Sequence, residues 1–423
     1  MIKRALYGGK TAGRDFRNHL RECMKHLHFI SCLADPDVWM RKAIDIQGKE
    51  YYEYILLYTD DPLVISHKPE KVLWDDLGKY FDLKEASIGP PKIYLGGKMR
   101  KVTLYNDMEA WGFSSAQYIK NAVNNVEEKL NKDGEKLPKR APTPFAFDYR
   151  PEQDISPELP MDKASYYQSL IGILRWVVEL GRIDICCEVS MMATCVALPR
   201  YGHLNALYRI FGYLKTHHNA EMVIDPNHPH IDKNEFPDKD WSTSEFGSDL
   251  TESLPGNMRE PRGQGMVMRC FVDADHASDS ITRRSRTGFV IYLNTAPIYW
   301  YSKKQTTVET SSFESEFVAM KQCSEYVRGL RYSMRMMGIP VLGPTYIYGD
   351  NQSVLYNTTI LESTTKKKSQ SLCYHFVREG VARKEWKTGY VKTTENPADV
   401  LTKPLSAHKR AILVLHHVFD KVE

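Results

Sequence analysis

A chain of 423 residues with 42% hydrophobic side chains is long and apolar enough for two or three packed domains. No apolar run reaches the length of a membrane span and no signal peptide is visible, so we expect no membrane partner. Eight cysteines without a C-x-x-C pair argue against a zinc site or a disulfide framework, and predict reduced thiols in an intracellular protein.

The first element with a chemical signature is a predicted β-hairpin. Its strands are the aromatic and apolar run Tyr51–Tyr58 and the shorter run Leu63–Ser66. Asp60 and Asp61 lie at the turn between them, followed by a proline. Because Asp and Pro are common turn formers, an isolated Asp-Asp-Pro is also explained by an ordinary turn.

Composition divides the chain into five predicted regions. The hairpin belongs to residues 1–105, and residues 106–225 are predicted to be mostly helical. Residues 226–265 are rich in Pro, Asp, Ser and Gly, which is typical of a linker. Residues 266–410 are predicted to form a further domain, and residues 411–423 a C-terminal helix or tail.

The region after the linker alternates predicted strands and helices. A long helix from Ser311 to about Met337 carries apolar residues close to helical period, and Ser311 with Glu314 forms a capping box at its start. The order is three strands, helix, strand, helices, strand, helix, which predicts an α/β fold. The five strands are Met266–Asp273, Thr287–Leu293, Pro297–Ser302, Tyr346–Gly349 and Gly389–Lys392.

Four carboxylates in this region end an apolar run or begin a helical one, and side chains at such ends can converge at one rim of a sheet. Converging acids repel one another unless cations lie between them, so Mg²⁺ or Mn²⁺ are the expected occupants. Two ions bridged by carboxylates catalyse in-line attack on a phosphodiester. The four acids are Asp273, Glu316, Asp350 and Asp399.

Some of these acids have simpler explanations. Asp350 could cap the helix that begins at Asn351. Asp399 lies in the first turn after Asn396 and Pro397, where an acid suits the helix dipole.

Two further acids lie beside the four. Glu314 is better explained as a helix cap than as a metal ligand. Asp275 is two residues from Asp273 on the same face of the predicted strand, so it could approach the metals in a supporting position.

Basic residues cluster in three places although the formal net charge is only +4. A run of charges is often just a solvated face. Beside the aromatic residues 299–301 and near an acidic site, such runs also suit a nucleic-acid backbone, and we assign that role to Arg283, Arg284, Lys303 and Lys304. The clusters are Arg283, Arg284 and Arg286; Lys303 and Lys304; and Lys366 to Lys368.

Sequence blocks between residues 266 and 405 resemble the ribonuclease H segment of copia-type retrotransposon polyproteins. The resemblance implies a ribonuclease H-like mixed five-stranded sheet with flanking helices. It also implies two Mg²⁺ ions, with Mn²⁺ as an alternative, held by Asp273, Glu316, Asp350 and Asp399. The blocks are F-V-D-A-D-H-A, T-R-R-S-R-T-G, I-Y-W-Y-S-K-K-Q, S-E-F-V-A-M, D-N-Q-S, Y-H-F-V-R-E and A-D-V-L-T-K-P-L.

The N-terminal part resembles a reverse transcriptase. Y-T-D-D at residues 58–61 is similar to the Y-V-D-D box, and R-A-L-Y-G-G-K-T-A-G near the start is similar to a block of the nucleotide pocket. The resemblance implies a partial palm over residues 1–105, without fingers or the first catalytic strand, and a helical thumb or connection over residues 106–225. Asp60 and Asp61 are then a polymerase remnant, and we expect no reverse transcriptase activity from this chain alone.

The expected function is metal-dependent hydrolysis of the RNA strand of RNA–DNA hybrids, beside an incomplete RNA-directed DNA polymerase. Expected partners are the hybrid, template–primer nucleic acid and the missing upstream part of the polyprotein. The expected location is the cytoplasm, in a virus-like particle, or the nucleus. Two alternatives stay open: a non-catalytic nucleic-acid-binding remnant, and a scaffold that another chain completes.

Overall fold

The computed structural model describes residues 11–58, 61–84, 88–247, 250–364 and 370–417. The chain divides into two compact units, each built from non-consecutive segments. The boundaries predicted from the sequence follow chain order and stay predictions. Unit 1 comprises Met1–Pro91, Ser253–Met266 and Arg328–Leu342, and unit 2 comprises Lys92–Glu252, Val267–Val327 and Gly343–Glu423.

Unit 1 contains an antiparallel sheet in the order β1-β2-β3-β4. Helix α1 buries Leu20 and Met24, four residues apart, against Trp39 and Ile55 of the sheet. The elements are α1 (Ala12–His26), β1 (Ile30–Ser31), β2 (Val38–Ile44), β3 (Glu50–Tyr58), β4 (Asp61–Ile65) and the short helix α2 (Pro69–Lys71).

The hairpin predicted from the sequence is formed by β3 and β4. Tyr58 pairs with Asp61 where the two strands meet the turn. Asp61 is exposed at the start of β4, and Asp60 lies outside the described residues. The strand pairing is therefore confirmed, while the assignment of the two acids to a polymerase palm stays a prediction.

The first part of unit 2 combines a small antiparallel sheet with four helices. The sequence predicted helices for residues 106–225, but not the strands β7 and β8. Gly112 weakens the strand pattern of β7, and β8 has only three residues. The sheet order is β5-β6-β7-β8. The elements are β5 (Ile93–Tyr94), β6 (Gly97–Thr103), β7 (Glu109–Ser114), α3 (Ala116–Lys132), α4 (Met161–Glu179), α5 (Cys186–Ala193), α6 (Tyr201–Thr216) and β8 (Met222–Ile224).

The second part of unit 2 is a mixed sheet in the order β11-β10-β9-β12-β13. Strands β9, β10 and β11 are antiparallel, whereas β12 is parallel to both β9 and β13. The predicted mixed five-stranded sheet with flanking helices is confirmed. The elements are β9 (Met268–Asp275), β10 (Arg286–Leu293), β11 (Ala296–Lys304), α7 (Ser312–Met336), β12 (Thr345–Gly349), α8 (Gln352–Thr359), α9 (Ser371–Ala382), β13 (Trp386–Tyr390) and α10 (Ala407–His417). Of these, α7 begins in unit 2, and its residues from Arg328 onward belong to unit 1.

The last strand begins three residues earlier than the predicted Gly389–Lys392. Strand β13 starts at Trp386, which is fully buried and donates its indole N–H to the carbonyl of Val377 at 3.0 Å. The prediction for this strand was wrong at its start because burial of a single tryptophan, rather than alternation along the strand, fixes that end.

The segment predicted as a linker carries two buried aromatic residues. Phe236 is 3% exposed and packs edge-on against Tyr346 and Tyr348 of β12, with ring centroids 4.8 and 5.1 Å apart. Trp241 is buried as well, with the Arg378 guanidinium 4.9 Å from its ring centroid. Isolated aromatic residues in a polar segment do not change its average composition, so the linker pattern gave no sign of this packing.

Helices and mixed sheet of unit 2 share one core, and a buried arginine links them. Arg410 of α10 donates to the carboxylate of Glu188 on α5 and to the carbonyl of Asp184. Both ionic side chains are buried, and burial raises the pKa of Glu188 although Arg410 faces it. A buried pair of this kind is costly to break because the remaining charge is left without its partner.

No described helix combines the length and the apolar character needed to cross a membrane.

Substitution of Arg410 tests this link. We expect Arg410→Met to lower the free energy of unfolding by about 3–5 kcal/mol, because it leaves Glu188 buried without a counter-charge. The double variant Arg410→Met/Glu188→Gln should recover part of that loss, as measured by urea unfolding followed by tryptophan fluorescence. Equal losses in the single and the double variant would contradict the assignment.

Candidate metal centre

Asp273 lies near the carboxyl end of the central strand β9 and is 2% exposed. It pairs across the sheet with Gly288 of β10, where a Cβ atom would lie 2.8 Å from the Cβ of Leu401. Glycine is therefore needed at this position, because the one-turn helix Pro397–Leu401 packs directly on the strand. That close approach brings Thr402 to the site, and its hydroxyl donates to the Asp273 carboxylate.

Asp350 follows the last residue of β12, which is parallel to β9, so the ends of both strands meet at one rim. The cap of the next helix is Asn351, whose side-chain oxygen accepts from the backbone N–H of Ser353 at 3.1 Å and of Val354 at 3.2 Å. The alternative explanation of Asp350 as the helix cap is therefore wrong.

Glu316 reaches the same rim from the first turns of α7. Two residues earlier, Glu314 accepts from the backbone N–H of Thr310 at 2.9 Å and from the hydroxyls of Thr310 and Ser311. The predicted cap is therefore confirmed. Because successive helix positions differ by about 100°, a cap at residue 314 directs residue 316 to another face of the helix.

Asp273, Glu316 and Asp350 each offer a carboxylate oxygen, and these oxygens all lie within 4.8 Å of one another. Burial raises the pKa of Asp273 to about 7, with Asp399 and Asp350 adding to the effect against the opposing charge of Lys403. Burial and the charges of Asp273 and Asp350 also raise the pKa of Glu316 well above its usual range. Crowded oxygen ligands of this kind fit a hard divalent cation such as Mg²⁺ or Mn²⁺.

Asp399, the fourth predicted ligand, is fully buried next to this group but outside it. Its oxygens face Lys403, at 2.7 Å, and Lys409. Although burial opposes the shift, these two lysines hold the pKa of Asp399 below its usual range. The structure thus brings three of the four predicted acids together and pairs the fourth with lysines.

Asp275 is also separate from the three-carboxylate group. Burial raises its pKa, while Lys403 opposes the shift. The side chain lines a small pocket next to the site, together with Arg284, Arg286 and Lys304. A supporting position for Asp275 stays a prediction.

The predicted nucleic-acid contacts differ in their surroundings. Arg283, Arg284 and Lys303 are exposed, and Arg283 adopts a left-handed backbone conformation with φ of 56°. Lys304 is paired with Asp279 at 2.6 Å, so much of its charge is balanced within the protein. The run at residues 366–368 lies outside the described residues.

Two aromatic residues expected beside these charges are packed within the fold. Tyr301 stacks on Phe289 with ring centroids 4.7 Å apart, and Tyr299 stacks on Tyr326 of α7 at 5.0 Å. Both rings are therefore engaged in packing within the fold.

Sequence reasoning missed Thr402, Lys403 and Lys409 around the acids. For Lys403 the sequence did contain a signal, because it follows Asp399 by four residues, the spacing at which opposite charges pair within a helical turn. Among the residues that the structure describes, Asp273, Glu316 and Asp350 are the only group of three or more His, Cys, Asp or Glu residues with spacing suited to a metal, and Asp61 is not part of it.

Comparison with known proteins agrees with the family resemblance that the sequence motifs indicated. No family model matches the chain. Over 96% of its length the chain is 25% identical to the retrovirus-related Pol polyproteins of transposon RE1 from Arabidopsis thaliana and transposon TNT 1-94 from Nicotiana tabacum. Its homologues are transposon Pol polyproteins of the copia type. The resemblance predicted from the sequence is therefore confirmed.

The match covers only part of these relatives. The chain spans 24% of the RE1 polyprotein and 27% of the TNT 1-94 polyprotein, about a quarter of each. A putative transposon Ty5-1 protein of Saccharomyces cerevisiae is 24% identical over 75% of this chain and 86% of its own length.

Solved structures similar to the chain include two ribonucleases H1. The enzyme from Halobacterium salinarum is 14% identical and aligns over 33% of this chain and 95% of its own, with a TM-score of 0.26. A ribonuclease H1 isolated from compost is 12% identical over 32% of this chain and 92% of its own, also with a TM-score of 0.26.

The raised pKa of Asp273 predicts a pH dependence of stability in metal-free protein. In the folded state Asp273 holds its proton up to about pH 7, whereas in the unfolded chain it loses the proton near pH 4. The protonated Asp273 therefore stabilises the folded state fully below pH 4, and this stabilisation is lost as the pH rises through 7. In EDTA, Asp273→Asn should reduce the fall in unfolding free energy between pH 5 and pH 8, by on the order of 2 kcal/mol. Urea unfolding of wild type and Asp273→Asn at both pH values measures this difference. An equal fall in unfolding free energy in the two proteins would contradict the crowding of these acids.

Proposed function

We propose that residues 266–410, which contain the mixed five-stranded sheet, hydrolyse the RNA strand of RNA–DNA hybrids with divalent ions. The observation that carries this proposal is the group of three carboxylates within 4.8 Å at the rim of a mixed five-stranded sheet. Motif blocks spread over residues 266–405 and homology to retrovirus-related Pol polyproteins support it.

The residues of the chain hold the site in position. Asp273, Glu316 and Asp350 would bind the metal, with Asp399 beside them as the fourth acid of the proposal. The Thr402 hydroxyl orients the Asp273 carboxylate. When bound, Mg²⁺ or Mn²⁺ would polarise the phosphodiester and lower the pKa of an attacking water.

The hybrid would be bound through its backbone. We propose that Arg283, Arg284 and Lys303, which are exposed, contact phosphates, and that Lys304 shapes the same surface through its pair with Asp279. Discrimination for RNA would then come from hybrid shape and 2′-hydroxyl contacts, because the rings of Tyr299 and Tyr301 on β11 are engaged in stacking within the fold.

For residues 1–105 we propose part of a reverse-transcriptase palm, with the β3–β4 hairpin as its Y-x-D-D element. Template–primer nucleic acid and the upstream part of the polyprotein are its proposed partners. The hairpin carries this proposal, and primer extension with and without an added upstream fragment tests it.

Substitution of the acids tests the proposed activity. We expect Asp273→Asn and Asp350→Asn each to reduce hybrid cleavage on the order of a thousandfold, and the double variant to lose little more, because the ligands act as one unit. Cleavage of a labelled RNA–DNA hybrid in Mg²⁺ and in Mn²⁺ measures this. Wild-type protein that binds the hybrid without cleaving it would instead support a non-catalytic remnant.

Glu314 provides the matched control for Glu316 on the same helix. Glu314→Gln should keep most of the activity, because a glutamine oxygen can accept the same capping hydrogen bonds. Glu316→Gln should abolish cleavage. Loss of activity in the first variant and retention in the second would show that the helix is assigned in the wrong register.

Salt dependence tests the proposed backbone contacts. Lys303→Glu or Arg284→Glu should weaken hybrid binding and reduce the slope of log K against log salt by about 0.9 for each phosphate that the variant no longer neutralises. Lys120→Glu, at an exposed position of α3, is the matched charge reversal. Hybrid binding is measured by fluorescence anisotropy over a salt series. Equal losses of affinity in Lys120→Glu and Lys303→Glu would refute a specific phosphate contact at residue 303.

A further inference from the structure

Lys403 lies between two buried acids of the candidate site. Its Nζ is 2.7 Å from Oδ1 of Asp399 and 3.6 Å from Oδ2 of Asp273. The lysine side chain is 33% exposed, whereas the side chains of Asp273 and Asp399 are 3% and 0% exposed. An ammonium group therefore reaches from the surface into the gap between the two carboxylates.

The two lysines at Asp399 are not equivalent. Lys409 approaches Asp399 from α10 and contacts its other carboxylate oxygen. Lys403 contacts Asp399 and lies near Asp273. Although burial opposes the shift, the charges of Asp273, Asp399 and Asp275 raise the pKa of Lys403. Lys409 alone is enough to balance the charge of Asp399. The approach of Lys403 to Asp273 therefore needs a further explanation.

Cations are distributed unevenly over the acids. Asp273 and Asp399 have Lys403 between them, whereas the described contacts give Glu316 and Asp350 no lysine or arginine within ion-pair distance. The free protein thus carries its positive charge on the Asp399 side, and the other side of Asp273 is left with crowded carboxylates. The group formed by Asp273, Glu316 and Asp350 is therefore expected to bind a metal ion more tightly than the gap between Asp273 and Asp399.

We propose that Lys403 takes the place of a second cation between Asp273 and Asp399. The free protein then binds one divalent ion tightly, on Asp273, Glu316 and Asp350. A second ion binds between Asp273 and Asp399 only when the Lys403 ammonium leaves, and this partly exposed side chain can swing toward solvent. The catalytic meaning of this exchange rests on the proposed function, but its metal stoichiometry does not.

Titration with Mn²⁺ alone tests the proposal without any activity measurement. Free Mn²⁺ is followed by electron paramagnetic resonance at constant ionic strength. Wild-type protein should bind one ion tightly and a second weakly. Lys403→Met should bind the second ion at least tenfold more tightly, which is the order expected for removing a unit charge about 4 Å away in a partly solvated site.

Two matched variants separate position from charge. Lys403→Arg keeps the charge in place and should retain weak binding of the second ion. Lys409→Met removes the same charge from Asp399 but not from the gap to Asp273, so its effect should be several-fold smaller than that of Lys403→Met. Unchanged second-ion affinity in Lys403→Met, or equal gains in Lys403→Met and Lys409→Met, would overturn the proposal.

Stability supplies an independent reading if Lys403→Met folds poorly. The metal-free variant should melt at a lower temperature than wild type, because two buried acids lose their shared counter-charge. Added Mn²⁺ should raise its melting temperature more than that of wild type, since the ion binds the folded state more tightly. An equal or smaller rise in the variant would count against the exchange of Lys403 for a metal ion.

The outcome is separable from that of the proposed function. Wild-type protein that cleaves the hybrid while all variants share one pattern of Mn²⁺ binding would overturn the role of Lys403 alone. Wild-type protein that shows no cleavage, with the expected Mn²⁺ pattern across the variants, would overturn hydrolysis and leave the role of Lys403 standing.

Discussion

Charge balance at the rim of the mixed sheet is the constraint on which the candidate site depends. Asp273 and Asp399 are buried, and Glu316 and Asp350 lie close to Asp273. Uncompensated carboxylates in such surroundings either take up protons or require cations. Lys403 and Lys409 balance the charge of Asp399, whereas Asp273, Glu316 and Asp350 form a group of carboxylates that could hold a metal ion. In the metal-free protein, burial and the neighbouring charges of Asp273 and Asp350 raise the pKa of Glu316.

Small local features bring the acids to this rim without using the acids themselves. Asn351 caps α8, which leaves Asp350 to the site, and Glu314 caps α7, which leaves Glu316. Gly288 lets the turn that carries Asp399 lie directly on β10. In each case a neighbouring residue meets the structural requirement of the backbone. The acid is therefore not held by the local hydrogen bonds that a turn or cap would demand.

Much of this arrangement could be predicted from the sequence. Strand and helix order, the cap at Glu314 and the convergence of three acids follow from periodicity, capping rules and motif spacing. The packing of Phe236 and Trp241 could not, because two isolated aromatic residues do not alter the composition of a polar segment. The pairing of Asp399 with Lys409 could not be predicted, because it depends on how the turn at residues 397–401 meets α10 in space. The pairing with Lys403, four residues after Asp399, was overlooked.

Helix α10 joins the site to the rest of unit 2 through two adjacent residues. Lys409 contacts Asp399, and the next residue, Arg410, contacts Glu188 and the carbonyl of Asp184 in the helical part. A shift of α10 that relieved one contact would disturb the other. The boundary predicted between residues 225 and 266 is therefore crossed by a buried ionic contact, and the geometry of the acidic site depends on packing against helices that precede that boundary.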